Sequence, residues 1–186
     1  MPHPAYAKSE YPVARIRHFL EAGPTVLISS SWRNRSNIMA HGWLTVMEFS
    51  PSLVGAMISA GNHSFEMIRA SEECVINIPD ASLVDTVAKI GNSSGAQVDK
   101  FAEFGLTKMP ADAVEAPLIG ECFASFECHL HDGRLIDDYN FFIFEVVKAH
   151  VSDYAEEMKM LHYRGDGIFT LSGETIERKA LFTKVS

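Results

Sequence analysis

Between Asn37 and Thr45 the chain reads N-I-M-A-H-G-W-L-T. In an extended strand, side chains alternate, so Asn37, Met39, His41, Trp43 and Thr45 share one side and Ile38, Ala40, Gly42 and Leu44 the other. The second set reads as a core face. The first mixes an amide, a thioether, an imidazole and an indole. That mix sets this side apart from a plain core face, and Ala40 and Gly42 carry so little bulk that backbone can come very close to something flat.

Two other segments are rich in donors. After the apolar run L-V-G-A-M-I comes S-A-G-N-H-S-F, in which Ser59 ends a strand, Ala60-Gly61 bends the chain, and Asn62, His63 and Ser64 open a helix. The free N–H groups of a helix start hold phosphate; the plainer reading is that Asn62 only caps the helix. The stretch G-N-S-S-G-A-Q-V-D-K-F, from Gly91 to Phe101, offers Ser93, Ser94 and the cation Lys100, a set that closes over a phosphate or serves as a polar surface loop. It lacks the G-x-x-x-x-G-K-[ST] spacing of a nucleotide-triphosphate loop.

E-C-F-A-S-F-E-C-H-L-H holds two cysteines and two histidines within ten residues. On a strand Cys122 and Cys128 point one way, and His129 and His131 the other, so these four cannot meet at one tetrahedral zinc. C-x-x-C, H-E-x-x-H, G-x-S-x-G and G-x-G-x-x-G are all absent. His162, Tyr163 and Arg164, in M-L-H-Y-R-G-D-G-I-F, form a polar aromatic cluster that suits a ligand, another subunit or an exposed loop.

These segments need elements to position them. Residues 1–12, with three prolines, read as an irregular arm, and Val13–Ala22 as a short helix stopped by Gly23-Pro24. Strands are expected over Thr25–Ser30, the opening stretch, Leu53–Ser59, Cys74–Ile78, Gly120–His131 and Tyr139–Val151; S-W-R-N-R-S makes a long hairpin tip between the first two. Helices are expected over His63–Ala70 and Ala81–Ile90, the latter capped by Asp80. Strands outnumber helices and follow one another directly late in the chain. That order favours a mainly β fold, an antiparallel β-barrel with attached helices, over a doubly wound parallel sheet.

The totals agree with a single domain of 186 residues, 47% apolar and 22% charged. A net charge of −8 argues against a sequence-independent grip on nucleic acid or anionic membrane. No apolar run approaches the roughly 20 residues of a membrane span, and M-P-H-P-A-Y-A-K-S-E is not a signal peptide, so a cytoplasmic location is expected. Cys74, Cys122 and Cys128 are expected as free, buried thiols.

Seven pieces in order, from S-N-I-M-A-H-G-W through S-P-S-L-V-G-A-M-I-S, G-N-H-S-F-E-M-I, C-V-I-N-I-P, G-N-S-S-G-A-Q-V-D-K-F-A-E-F-G-L and A-P-L-I-G-E-C-F-A-S-F-E-C to Y-N-F-F-I-F-E-V-V, resemble the flavin reductase-like family. The L-H-Y-R-G-D-G tail looks like the C-terminal extension, here residues 152–186, of its flavoredoxin-like branch. The resemblance implies an FMN-binding split barrel of Greek-key antiparallel strands and a homodimer with FMN near the subunit interface. Asn37 to Trp43, with Met39, Ala40, His41 and Gly42 between, would then lie along the flavin. Ser59, Asn62, His63 and Ser64 would approach the ribityl chain and phosphate, with Ser93, Ser94 and Lys100 adding donors. His41 is the expected tuner of the ring, Lys100 the expected counter-charge, and no catalytic residue or metal is implied. NAD(P)H would be the donor, and a small molecule or a protein the next electron partner. Many relatives have Thr at Ala40, Arg or Lys at Asn62, Thr at Ser64, and G-D-H where this chain has Asp137-Asp138-Tyr139. That last departure keeps open an electron carrier that does not use nicotinamide, or a dimeric barrel with an empty cleft.

Overall fold

The computed structural model describes residues 23–181 together with Pro12, so the expected arm and the helix at 13–22 otherwise lie outside the described residues. Strands β1 (Val26–Trp32) and β2 (Arg35–His41) form an antiparallel hairpin paired from Val26 with His41 to Trp32 with Arg35. Its tip is a two-residue turn and not a long one. Arg33 and Asn34 both have positive φ, 51° and 61°, the mirror-image turn whose twist matches that of the flanking strands.

Next come β3 (Leu44–Glu48), β4 (Leu53–Met57), α1 (His63–Ser71) and β5 (Glu73–Ile78). A 3₁₀ turn, Ala81–Leu83, leads into α2 (Val84–Gly91), and Asp80 caps it by accepting from Ser82 N at 3.0 Å. Then follow α3 (Lys100–Glu103), the short strands β6 (Lys108–Met109) and β7 (Leu118–Ile119), β8 (Ala124–Asp132), α4 (Ile136–Tyr139) and β9 (Phe141–Val151). Strands β8 and β9 are shorter than the sequence predicts. Cys122 N bonds to Ile119 O in a turn ahead of β8, and Asn140, at φ 55°, ends the α4 turn before β9 starts. A hairpin of β10 (Leu161–Tyr163) and β11 (Phe169–Leu171) follows.

The main sheet has the order β2-β1-β5-β8-β9-β4-β3, with every neighbouring pair antiparallel. Its two edge strands are consecutive in the chain, joined by Gly42 and Trp43 alone. That link spans at most about 11 Å, whereas seven flat strands would set the edges roughly 29 Å apart. The sheet must therefore roll up, and the result is a β-barrel.

Alternation along β1 and β2 then serves two cores. Ile28 and Met39 point into the barrel with Ile76, Phe142 and Phe144. Phe65 of α1 plugs the barrel, its ring edge-on to Phe142 at 5.3 Å, with Phe144 stacked beyond at 5.7 Å. Leu27 and Ile38 point outward, where Val87 and Ile90 of α2, Phe101 of α3 and Leu161 of β10 cover them. The face of Ile38 and Ala40, expected as a core face, is one, packed in the outer core layer, and the Met39 face lines the barrel.

Candidate functional site

Strand β2 is an edge, so chain segments gather along its open side. At its start lies a small polar cavity of about 120 Å³, walled by Asn37 and Met39 of β2, Asn62, His63 and Ser64 at the head of α1, and Ser93, Ser94 and Lys100. Every one of these belongs to the set expected from sequence. Gly61 and Gly95 complete the wall.

Two features of this cavity are costly for an empty protein. The Lys100 side chain is only 4% exposed, and its ammonium donates to a single group, Ile90 O, at 2.9 Å. Among the described residues no carboxylate pairs with it, and burial lowers its pKa. Asn37, 3% exposed, donates through Nδ2 to Ser64 Oγ at 2.8 Å, while its Oδ1 is the one buried side-chain N or O atom without a hydrogen bond among the described residues. Gly95 lies against that oxygen so closely that a Cβ there would sit 2.0 Å from it. A half-turn of the amide keeps the bond to Ser64, now donated by the hydroxyl, and offers Nδ2 to the cavity as a donor. An unpaired ammonium, a donor-capable amide and three serines make a receptor for an oxyanion.

The bend before α1 works differently from the expectation. Gly61 N donates to Ser59 Oγ, Asn62 N to Ser59 O and Phe65 N to Asn62 O, which leaves the N–H groups of His63 and Ser64 outside the bend's own hydrogen bonds. Asn62 occupies the cap position without a side-chain cap bond, and its Nδ2 donates to Ser59 O instead, at 3.2 Å. Ser59 shapes the bend and is not part of the cavity wall.

Farther along β2 opens a larger cavity, about 430 Å³, reached by Ala40, His41, Gly42 and Trp43. The loop after α2 runs past both spaces, with Gly91 and Asn92 on the larger and Ser93, Ser94 and Gly95 on the smaller. Among the described residues, none that lines the larger cavity is Asp, Glu, Lys or Arg. His41 is neutral there: burial lowers its pKa to about 4, although its hydrogen bond to Trp43 O works the other way. Because a carbonyl only accepts, Nε2 carries the proton in that 2.9 Å bond and Nδ1 is left as an acceptor. Tyr163, Gly167 and Phe169 complete the cavity from the C-terminal hairpin. The sequence signal for them was an aromatic on either side of the G-D-G turn, which by itself did not separate a ligand wall from an exposed loop.

The chain from residue 18 to 171 matches the family model of the flavin reductase-like domain. It belongs to the flavin reductase-like family. An uncharacterised protein of Pyrococcus abyssi is 30% identical over 133 residues, covering 72% of this chain and 76% of that one. Among solved structures, flavoredoxin of Desulfovibrio vulgaris (Miyazaki F) superposes with a TM-score of 0.79 at 23% identity, covering 99% of both chains. Flavoredoxin from Methanosarcina acetivorans gives 0.81 at 20% identity, covering 96% of this chain and 97% of its own. These likenesses establish the split-barrel fold of this flavin reductase-like chain.

Other reactive groups have structural occupations. Cys74 and Cys128 face each other across β5 and β8 inside the barrel, where the contact with Cys128 and burial push the Cys74 thiol well up, and burial pushes the Cys122 thiol up to about 12. Asp112, Glu127 and His150 come within 4.8 Å of one another. The Glu127 oxygens are already taken by Asp112 N, Ala113 N and His150 Nε2, and Lys148 holds the Asp112 carboxylate. Glu127 thus clamps the loop before β7 to the barrel. No helix of the described residues is long and apolar enough to cross a membrane.

Proposed function

We propose that this protein is an FMN-binding oxidoreductase that takes electrons from NAD(P)H and passes them through the flavin to a second acceptor. The observation that carries the reading is the buried Lys100 ammonium, with no carboxylate partner among the described residues, beside the unsatisfied Asn37 amide in a small cavity at the start of β2, with a wider cavity farther along the same strand whose described lining is uncharged. A dianionic tail joined to a neutral ring suits that pair of cavities. Lys100, Ser64, Ser93 and Ser94 would hold the phosphate. The chain at Ala40 and Gly42 would floor the ring, and the neutral His41 would offer an acceptor to its polar edge. FMN supplies a ring that accepts a hydride and releases electrons one or two at a time. The protein contributes binding, orientation and a dry, uncharged setting, which is why no acid or base is required among its side chains.

The proposal extends to a cytoplasmic homodimer with the flavin near the subunit boundary. Protein purified with FMN is expected to be yellow and to oxidise NADH or NADPH faster than free FMN does; a rate equal to that of free flavin refutes the reductase reading.

One observation favours a second reading, a flavoredoxin-like carrier reduced by another protein. Where many reductases carry G-D-H, Asp137, Asp138 and Tyr139 lie exposed on α4, and Asp137 is engaged by Arg69 of α1 at 2.8 Å. Bleaching of the flavin by reduced ferredoxin, with both nicotinamides inert, selects this reading.

A further inference from the structure

The hairpin of β10 and β11 stands outside the main sheet, yet it is fixed to the barrel. Thr25, one residue before β1, donates from its N–H to Leu161 O at 2.6 Å and accepts from Tyr163 N through Oγ1 at 3.0 Å. Asp80 pairs with Met160 and accepts from Lys159 N at 3.0 Å. The Leu161 side chain is fully buried in the outer core layer. The turn is equally determined: Gly165, Asp166 and Gly167 all have positive φ, Ile168 N donates to Gly165 O at 3.0 Å, and Gly167 N donates to the Tyr163 hydroxyl at 3.2 Å. Tyr163 and Phe169 are paired in register across the hairpin, their rings 5.0 Å apart and tilted by 51°. A loose surface extension would hold no aromatic pair so firmly.

That pair belongs to the wall of the larger cavity, where the end of β2 and the link after it contribute Ala40, His41, Gly42 and Trp43, two of them small. Small residues on one side let a flat ring reach the backbone, and aromatic side chains on another give it dispersion and stacking contact. The uncharged lining that the described residues give it suits an uncharged ring and costs an anion its hydration without return. We propose that the C-terminal hairpin is part of the ring site, with Tyr163 and Phe169 holding the flavin ring over Ala40 and Gly42, so that FMN stays on the protein between turnovers. The proposal rests on the FMN reading above and adds retention to it. Differences in affinity at one site are expressed mainly in the rate of leaving, so ring contact added by the hairpin reads out as slower loss of FMN.

The test uses the full chain with two probes, FMN and lumiflavin, which has the ring without the ribityl phosphate. Dissociation constants are read by fluorescence quenching and FMN retention by loss on dialysis. Phe169→Ala and Tyr163→Ala are expected to weaken both probes by a common factor of roughly ten or more and to speed FMN loss. Lys100→Met is expected to weaken FMN and leave lumiflavin as it was. Phe169→Leu keeps apolar bulk without the flat ring, so it reports the stacking contact should Phe169→Ala fail to fold by circular dichroism. A wild-type chain that takes up no FMN defeats the functional reading and this proposal together. A wild-type chain that binds FMN, with both hairpin residues replaceable without change in lumiflavin affinity or FMN retention, overturns this proposal alone.

Discussion

Two buried asparagines, Asn77 on β5 and Asn37 on β2, divide the molecule into a framework and a site. Asn77 is fully buried and fully used: Nδ2 donates to Leu27 O and Ser29 Oγ, both at 3.1 Å, and Oδ1 accepts from Ile119 N at 3.1 Å and Ser125 Oγ at 2.8 Å. It ties β1, β5, β7 and β8 together. Asn37 is almost as buried, but one of its two polar atoms has no hydrogen-bond partner among the described residues. The same contrast separates charged groups. Burial pushes the Glu127 carboxyl up, but hydrogen bonds from His150, Asp112 and Ala113 outweigh it and hold its pKa below the usual range. Lys100 has burial without compensation. Satisfied polar groups hold a fold together, and unsatisfied ones in a cavity mark where a ligand completes it.

The largest expected effect tests the framework side. Asn77→Ala leaves Ile119 N and Ser125 Oγ without their acceptor, and should cost about 3 to 5 kcal/mol in urea unfolding; a cost no greater than that of Asn37→Ala would erase the distinction. Next is the pH response of His41. The unfolded chain protonates this residue below about 6.5, and the folded one only near 4, so the unfolded state binds more protons in between. Stability is therefore full above pH 6.5 and falls by about 3 kcal/mol as the pH drops to 4. The difference in stability between wild type and His41→Gln, followed across that window, should carry this slope.

Lys100→Met sharpens the comparison from the site side. Loss of hydrogen bonds from a charged donor predicts FMN binding 10- to 100-fold weaker by titration, while the ligand-free protein gains about 1 kcal/mol by shedding an unpaired buried charge. Because its folded pKa is lowered, the ligand-free wild type should also gain stability as pH rises from that lowered value towards about 10.4, and the Met variant should not. Gly95→Ala forces a methyl group against Asn37 Oδ1 and should cost about 1 to 2 kcal/mol of stability together with FMN affinity.

Much of this was legible in sequence for identifiable reasons. Period-two alternation places Asn37 and Met39 on one face, and the glycine- and serine-rich segments 59–64 and 91–100 announce unpaired donors, but it was the resemblance to the flavin reductase-like family, and not spacing, that brought these segments to one site before its geometry was known. Which face of β2 turns inward was not legible, because Ile38 and Met39 are equally apolar and each finds a core, one under α2 and the other inside the barrel. The tight turn at Arg33 and Asn34 was hidden because arginine gives no local sign of positive φ. The hairpin wall was hidden because its anchors, Thr25 and Asp80, lie far away in sequence.

The smallest effect is the most discriminating. Asn37→Ala removes one hydrogen bond, to Ser64, and relieves an oxygen that has none, so the fold should lose only about 1 kcal/mol. A purely structural asparagine could not be removed so cheaply. Asn37→Asp then asks which edge of the amide meets the ligand. If Nδ2 turns to the phosphate, a carboxylate in its place faces an anion, and FMN binding should collapse while lumiflavin binding persists. If Oδ1 accepts from a ribityl hydroxyl, the carboxylate does the same work, and FMN affinity should survive. Lys100 beside it decides the expectation: a cavity that already holds one unpaired cation is built for the anion, and the amide completes it by donating.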